Sequence, residues 1–295
     1  MKYLKALVFV VLHFIALTNM AHAEIKERRT FIPVQVTLQS GEVIKRDMEL
    51  VIFEDDAAKG QRPVVVFGHG KPPTGQSIST WGWVFSHRAG LSEFVRLGYT
   101  VIFPMRIGQG GTGGSASTED PFCAGSAVAF TKLYDLVASQ MIQAGVWAKS
   151  QKEFDGQQII YAGQSMGGSA AIAIASAAEN PFSVSVNFAG GPGGDHTHPC
   201  SPNEYRDTVA NYAAAAKIPL LWIQGKNDHL WADHHVETWS TAYKTAGGVV
   251  DFYLVSANTP NGHDLFRKSP EIWVPIAKRY LSGQGLLPTA NGALD

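Results

Sequence analysis

The chain has 295 residues, and 24 Lys plus Arg nearly cancel 25 Asp plus Glu, for a formal net charge of −1. That balance leaves no basic footprint for nucleic acid or for an anionic membrane surface. Apolar residues make up 45 %, enough for a sizeable core, and two cysteines are too few for a disulfide-dense scaffold.

In chain order, the first element is a leader. Residues 1–5 are basic, 6–18 are almost wholly apolar, and Ala21-His22-Ala23 puts small residues at the two positions a signal peptidase reads. The apolar run falls short of the roughly 20 residues a membrane span needs, and it contains His13. No cysteine stands at the cleavage point. These features predict a signal peptide over 1–23 and a mature chain from Glu24, exported to the periplasm or beyond with no membrane anchor.

Residues 30–54 alternate apolar and polar around a turn at Ser40-Gly41, which predicts an antiparallel hairpin. Beyond it the pattern changes. Short apolar runs at 64–67, 100–103, 158–162, 183–188, 219–223 and 249–255 alternate with helical stretches at 89–97, 127–148, 168–178, 234–245 and 270–281. Continuous apolarity means strands buried on both faces, hence a mostly parallel sheet with helices on each side. Residues 108–117 read as a Gly-rich loop, 190–213 as a loop or small lid, and 283–295 as a frayed tail. Nothing divides 24–295 into more than one α/β domain.

Gly163-Gln164-Ser165-Met166-Gly167 follows one of these strands and precedes a helix of small residues. A serine there sits on a sharp turn with its hydroxyl lifted above the sheet edge, and the flanking glycines remove the Cβ atoms that would clash. The pattern alone also arises as an ordinary Gly/Ser turn; the strand before and the Ala-rich helix after make it a nucleophile elbow. A serine hydroxyl is a poor nucleophile until an imidazole accepts its proton and a carboxylate holds that imidazole in one tautomer. Functional groups of parallel sheets gather at strand carboxyl ends. Asp228 follows the strand at 219–223 and His263 follows the strand at 249–255, so Ser165, Asp228 and His263 are the expected triad. A turn aspartate after Asn227 and an exposed loop histidine are the bland alternatives. Asp264 adjoins His263 and is not expected to serve as its acid.

The developing oxyanion needs two backbone donors. One is expected at Met166 N–H, after the nucleophile. The other is expected at Lys71 N–H, in the Gly68-His69-Gly70-Lys71 loop after the first parallel strand, a loop that could also be a plain turn around a core histidine. Cys123 and Cys200 are expected to be bonded to each other in an oxidising compartment. They fall after the fourth and sixth strands, expected to flank the nucleophile strand, so the bridge would clamp the rim of the site.

His69-Gly70, Gly163 to Gly168, Asp228 and Gly262-His263 together resemble the α/β-hydrolases, and among them the dienelactone-hydrolase-like group. The resemblance covers the whole mature chain. It implies an α/β-hydrolase fold with a sheet of about eight strands, and cofactor-free hydrolysis through an acyl-enzyme. The best-known dienelactone hydrolases carry a cysteine where this chain has Ser165, which points to a general esterase acting on a small-molecule ester. Pro104-Met105-Arg106 and the glycines after it resemble the loop after the fourth strand of related esterases and peptidases; they lack the Lys-Ser/Thr of a phosphate cradle. Trp81-Gly82-Trp83 is a candidate lining of the acyl pocket or plain core. His196-x-His198 and His234-His235 lack the carboxylate or cysteine spacing of a metal site, so no metal is expected. A serine peptidase of the prolyl-oligopeptidase kind shares the triad order, though a chain of this length leaves little room for its propeller. A non-catalytic binder on the same scaffold is the alternative from another class.

Overall fold

A computed structural model describes residues 24–57, 60–120, 123, 125–195 and 198–288. The leader at 1–23 and the end of the tail lie outside the described residues. The chain opens on a hairpin of β1 (Ile25–Thr37) and β2 (Val43–Asp55), with Ile25 opposite Asp55 and Thr37 opposite Val43. In β1 the residues Ile32, Val34 and Val36 are buried while those between them face solvent, the period of a half-buried strand.

There follow β3 (Arg62–Gly68), α1 (Thr80–Arg96), β4 (Thr100–Pro104), α2 (Ala127–Ser150), β5 (Phe154–Gln164), α3 (Met166–Ser176) and β6 (Ser185–Phe188). The chain continues through α4 (Pro202–Ala214), β7 (Leu220–Gly225), α5 (Asp233–Thr245), β8 (Val250–Val255), a short α6 (Leu265–Lys268) and α7 (Pro270–Gly283). The strands form one eight-stranded sheet in the order β1-β2-β4-β3-β5-β6-β7-β8. Pairing is parallel from β4 to β8, and β2 runs antiparallel to both its neighbours.

The two-residue period divides each inner strand between two cores. Val64 and Val66, Ile159 and Tyr161, and Leu220 and Trp222 face the layer that holds α2, α3, α4 and α5. Val65 and Phe67, Ile160 and Ala162, and Leu221 and Ile223 face the layer of α1, α6 and α7. Both faces must be apolar for this, which is why these strands read as unbroken apolar runs. Each Val, Leu, Ile or Phe among them contributes about 1.5–3 kcal/mol on burial, so the sheet is the rigid base of whatever its loops carry.

Three expectations change. The strands flanking β5 are β3 and β6, not β4 and β6, because the chain leaves β3 for β4 on one side and then returns to pair β5 on the other. Between β3 and β5 lies the topological switch point, where parallel sheets open a crevice at their carboxyl ends. Helix α1 starts at Thr80, well before 89, with Ser79 capping it by accepting from the Gly82 N–H at 3.1 Å. Gly82 and the aromatic run lower the local helix propensity and hide that start. In 190–213 the second half is α4, packed against α2, α3 and α5 as the crossover from β6 to β7. Cys123 and Cys200 are disulfide-bonded across 77 residues of sequence, tying the loop after β4 to the loop after β6.

Candidate active site

Ser165 stands between β5 and α3 at φ 58°, ψ −118°, a region that non-glycine residues rarely occupy. Such a conformation costs of order 1–3 kcal/mol and persists only where its surroundings hold it. They do so here. The Ser165 N–H donates to the Phe188 carbonyl at 2.9 Å, and the Ser165 carbonyl accepts from the Ser169 N–H at 2.9 Å. The elbow is also pressed against β3. A Cβ on Gly167 would lie 2.1 Å from the Gly68 carbonyl oxygen, and one on Gly163 would lie 2.4 Å from that of Gly167. Both glycines are needed for close approach. The Ser165 side chain is half-buried, and Met166, the first residue of α3, is fully buried with its N–H among those that open the helix.

Asp228 and His263 meet because the loops after β7 and β8 are pressed together. A Cβ on Gly225 would sit 2.3 Å from the Gly262 carbonyl oxygen, and the Gly262 N–H donates to the Asn227 carbonyl at 3.1 Å. Asn227 turns the chain at φ 57°, a conformation asparagine tolerates better than most residues. Asn261 Oδ1 then accepts from the N–H groups of both His229 and His263, each at 3.0 Å, which locks the two loops in register.

The result is a short Asp–His pair. His263 Nδ1 lies 2.9 Å from Asp228 Oδ2, and the Asp228 side chain is wholly buried. Two further donors satisfy the carboxylate: Gln224 Nε2 reaches Oδ2 at 2.7 Å, and the Leu230 N–H reaches Oδ1 at 2.8 Å. A carboxylate oxygen accepts, so the proton of this bond sits on His263 Nδ1, and Nε2 is the nitrogen that can accept a proton when the ring is neutral. The residue is held from two other directions, one at its backbone and one at its ring. Gln164, beside Ser165, donates to the His263 carbonyl at 2.7 Å. Trp231 meets the imidazole edge-on with centroids 5.1 Å apart, and its own Nε1 donates to the Gly193 carbonyl at 3.0 Å. Asp264, in contrast, turns to Arg267 and Lys268.

The loop after β3 lies against the nucleophile: a Cβ on Gly70 would be 3.3 Å from Ser165 Cβ and 3.7 Å from its Oγ. His69 is fully buried and stacked on Trp83 with ring centroids 4.2 Å apart. Its Nδ1 lies 2.7 Å from the Gly70 carbonyl oxygen, and its Nε2 accepts from the Arg106 N–H at 3.3 Å. These partners require the neutral ring protonated on Nδ1. Burial, and then the charge of Arg106, hold the His69 pKa well below its ordinary value, in agreement. The Lys71 side chain is buried with Nζ 2.6 Å from Asp120 Oδ1. Trp83 belongs to the core beside His69, while Trp81 is 62 % exposed.

Sequence reading passed over Gln224, Trp231 and the partners of Arg106. The polar end of β7, Gln224-Gly225, was a signal for the first; the other partnerships form only in three dimensions. His196 lies outside the described residues, and the His234 and His235 rings lie side by side, tilted, with centroids 4.0 Å apart. Among the described residues no group of three or more His, Cys, Asp or Glu is placed to hold a metal ion, and no helix is long and apolar enough to cross a membrane.

The profile of the dienelactone hydrolase family matches residues 78–272. No curated protein matches the sequence. Among solved structures, a Bacteroides ovatus dipeptidyl aminopeptidase IV candidate is 18 % identical with TM-score 0.63, over 90 % of this chain and 36 % of that one. The chain thus spans about a third of that protein's length. A Pyrococcus furiosus esterase is 17 % identical with TM-score 0.57, over 86 % of this chain and 90 % of that one. A Pyrococcus horikoshii acylaminoacyl peptidase is 16 % identical with TM-score 0.53, over 86 % of this chain and 41 % of that one. At these identities the likeness is one of fold, and the fold is that of the α/β-hydrolases. With its family profile matched over most of its length, this chain belongs to the dienelactone hydrolase family.

Proposed function

We propose that the chain is an exported serine hydrolase that cleaves a small carboxylic ester through an acyl-enzyme, with Ser165 as nucleophile, His263 as base and Asp228 as its orienter. The observation that carries this is the strained Ser165 elbow at the switch point together with a His263 ring whose Nδ1 is tied to a buried, fully satisfied carboxylate. In the first half-reaction His263 Nε2 takes the Ser165 proton as Oγ bonds the ester carbonyl carbon. The carbonyl oxygen gains the charge and is met by the N–H groups of Met166 and Lys71. As the tetrahedral intermediate collapses, the imidazolium hands its proton to the leaving alcohol, and the acyl group remains on Oγ. Water repeats the sequence and releases the acid.

The leader-like 1–23 and the Cys123–Cys200 bridge support export, since disulfides persist in oxidising compartments. No step needs a metal or cofactor. The same chemistry would open an amide, so the substrate decides between esterase and peptidase. A screen of p-nitrophenyl esters of graded acyl length beside aminoacyl and peptidyl p-nitroanilides separates them. Turnover confined to esters is expected; anilide hydrolysis at comparable kcat/KM would make the chain a peptidase, and no turnover of either would favour a binder.

A further inference from the structure

Arg106 is a buried cation that the hydrolytic mechanism above does not use. Its guanidinium is wholly buried at the end of β4, and every contact it makes is directed. Nε and Nη2 grip Glu119 in a fork, at 2.5 Å to Oε1 and 3.1 Å to Oε2. The opposite edge faces the loop after β3: Nη1 donates to the His69 carbonyl at 2.6 Å and Nη2 to the Gly70 carbonyl at 2.8 Å. Burying two charges is expensive, and an apolar pair of similar volume often stabilises a fold as well or better. A position that needed only stability had a simpler solution.

The geometry of the peptide unit gives the pair a purpose. The Gly70 carbonyl and the Lys71 N–H belong to one amide plane, and in a trans amide they point in opposite directions. A donor that fixes the carbonyl on one side therefore aims the N–H on the other. Gly70 itself lies against Ser165, with a Cβ there only 3.7 Å from Oγ. The Gly70 oxygen also faces His69 Nδ1 at 2.7 Å, so two donors polarise the same amide and strengthen its N–H as a donor. A second tether completes the loop: Asp120, next to Glu119, lies 2.6 Å from Lys71 Nζ and accepts from the Gly75 N–H at 3.1 Å. Burial acts to raise the Asp120 pKa, but the Lys71 hydrogen bond and charge, with Gly75 and Ser117, outweigh it and keep the carboxyl below its ordinary range.

We infer that Arg106, clamped by Glu119, is the positioning residue of the oxyanion loop: it orients and polarises the Gly70–Lys71 amide so that Lys71 N–H meets the transition-state oxyanion at Ser165. This rests on the serine hydrolase reading, and the test keeps the two apart. Wild-type enzyme is first assayed on p-nitrophenyl acetate; absence of Ser165-dependent turnover would sink the hydrolase reading itself. Arg106→Met, Arg106→Lys and Glu119→Gln are then compared with wild type in kcat, in KM and in inhibition by phenylboronic acid, which becomes a tetrahedral anion on the serine.

Loss of one oxyanion donor typically lowers kcat about 10²–10³-fold. Arg106→Met should approach that loss. Arg106→Lys keeps the charge but not the fork, and should lie between it and wild type. KM should change less than about threefold, while the boronate Ki rises in step with the fall in kcat, because both report binding of the tetrahedral anion. A merely structural role would leave kcat and boronate affinity near wild type in every variant that melts cooperatively. That result would overturn the inference. Should Arg106→Met fail to fold, Arg106→Lys and Glu119→Gln are read by the same two criteria.

Discussion

The two walls of the site are built in different ways. On the acid–base wall, the loops after β7 and β8 are glycine-to-glycine neighbours, and one buried carboxylate orients one imidazole. On the proposed oxyanion wall, the loop after β3 is assigned a backbone donor and not a side chain. It is held from behind by Arg106, Glu119 and Asp120, from the segment after β4. The first wall uses side-chain chemistry that nothing else can supply. In the proposed mechanism the second offers backbone N–H groups, and its side chains hold the loop that carries them. Substitutions on the first wall should therefore abolish proton transfer, while those on the second should grade the stabilisation of charge.

The largest effect expected on the acid–base wall is from Asp228→Asn. An amide in that position permits the wrong His263 tautomer, and kcat should fall on the order of 10⁴-fold with the fold intact. Near-wild-type steady-state turnover would move the acid elsewhere. Near the proposed oxyanion wall, the Cys123–Cys200 bridge closes a loop of 77 residues. Replacing both Cys123 and Cys200 by Ala should lower stability by about 4 kcal/mol in the chain-entropy account. Chemical denaturation checks this, and a loss under about 1 kcal/mol would mean that the neighbouring contacts carry the segment without the bridge.

A smaller effect sharpens the contact between the β7 and β8 loops. Gly225→Ala would place a methyl 2.3 Å from the Gly262 oxygen, so the two loops must separate. Overpacking of this kind costs about 1–3 kcal/mol, and here it should also weaken kcat by lengthening the His263–Asp228 bond. An alanine variant with unchanged melting and turnover would show that the close contact does not set the pair. The remaining test is of acid stability. Burial, then Arg106, depresses the His69 pKa; burial, then Arg267, takes that of His87 to about 3.

Both histidines are neutral in the folded chain, whereas in the unfolded chain each gains a proton below about pH 6.5. Stability is therefore full above that pH and falls as the pH drops below it, by about 1.4 kcal/mol per pH unit for each ring. The fall continues for His87 until the pH nears 3. Denaturation midpoints between pH 7.5 and 4.5 give the slope. His87→Leu should flatten it; an unchanged slope would assign the loss to other groups.

The same contrast explains what could be read from the sequence. The placement of Ser165, Asp228 and His263 after the ends of β5, β7 and β8 was legible because the strands are marked by apolar runs. The sheet itself was legible for the same reason, down to the hairpin that opens it. Arg106 stood out as a loop residue, but its partners did not: Glu119 lies 13 residues further on in a glycine-rich segment with no periodicity. Strand order was misjudged beside β5 because sequence order does not record that the chain crosses back over β3. Trp231 carries no sequence signal of its own, since its contact with His263 depends on where the β6 loop passes.

The central claim is that Ser165 is an activated nucleophile, and covalent labelling tests it most directly. Wild-type protein and Ser165→Ala are each treated with a fluorophosphonate and examined by intact mass and peptide mapping. One label per wild-type chain, mapped to Ser165 and absent from Ser165→Ala, is the predicted result. A folded wild-type chain that stays unlabelled, or carries the label on another residue, would contradict the account.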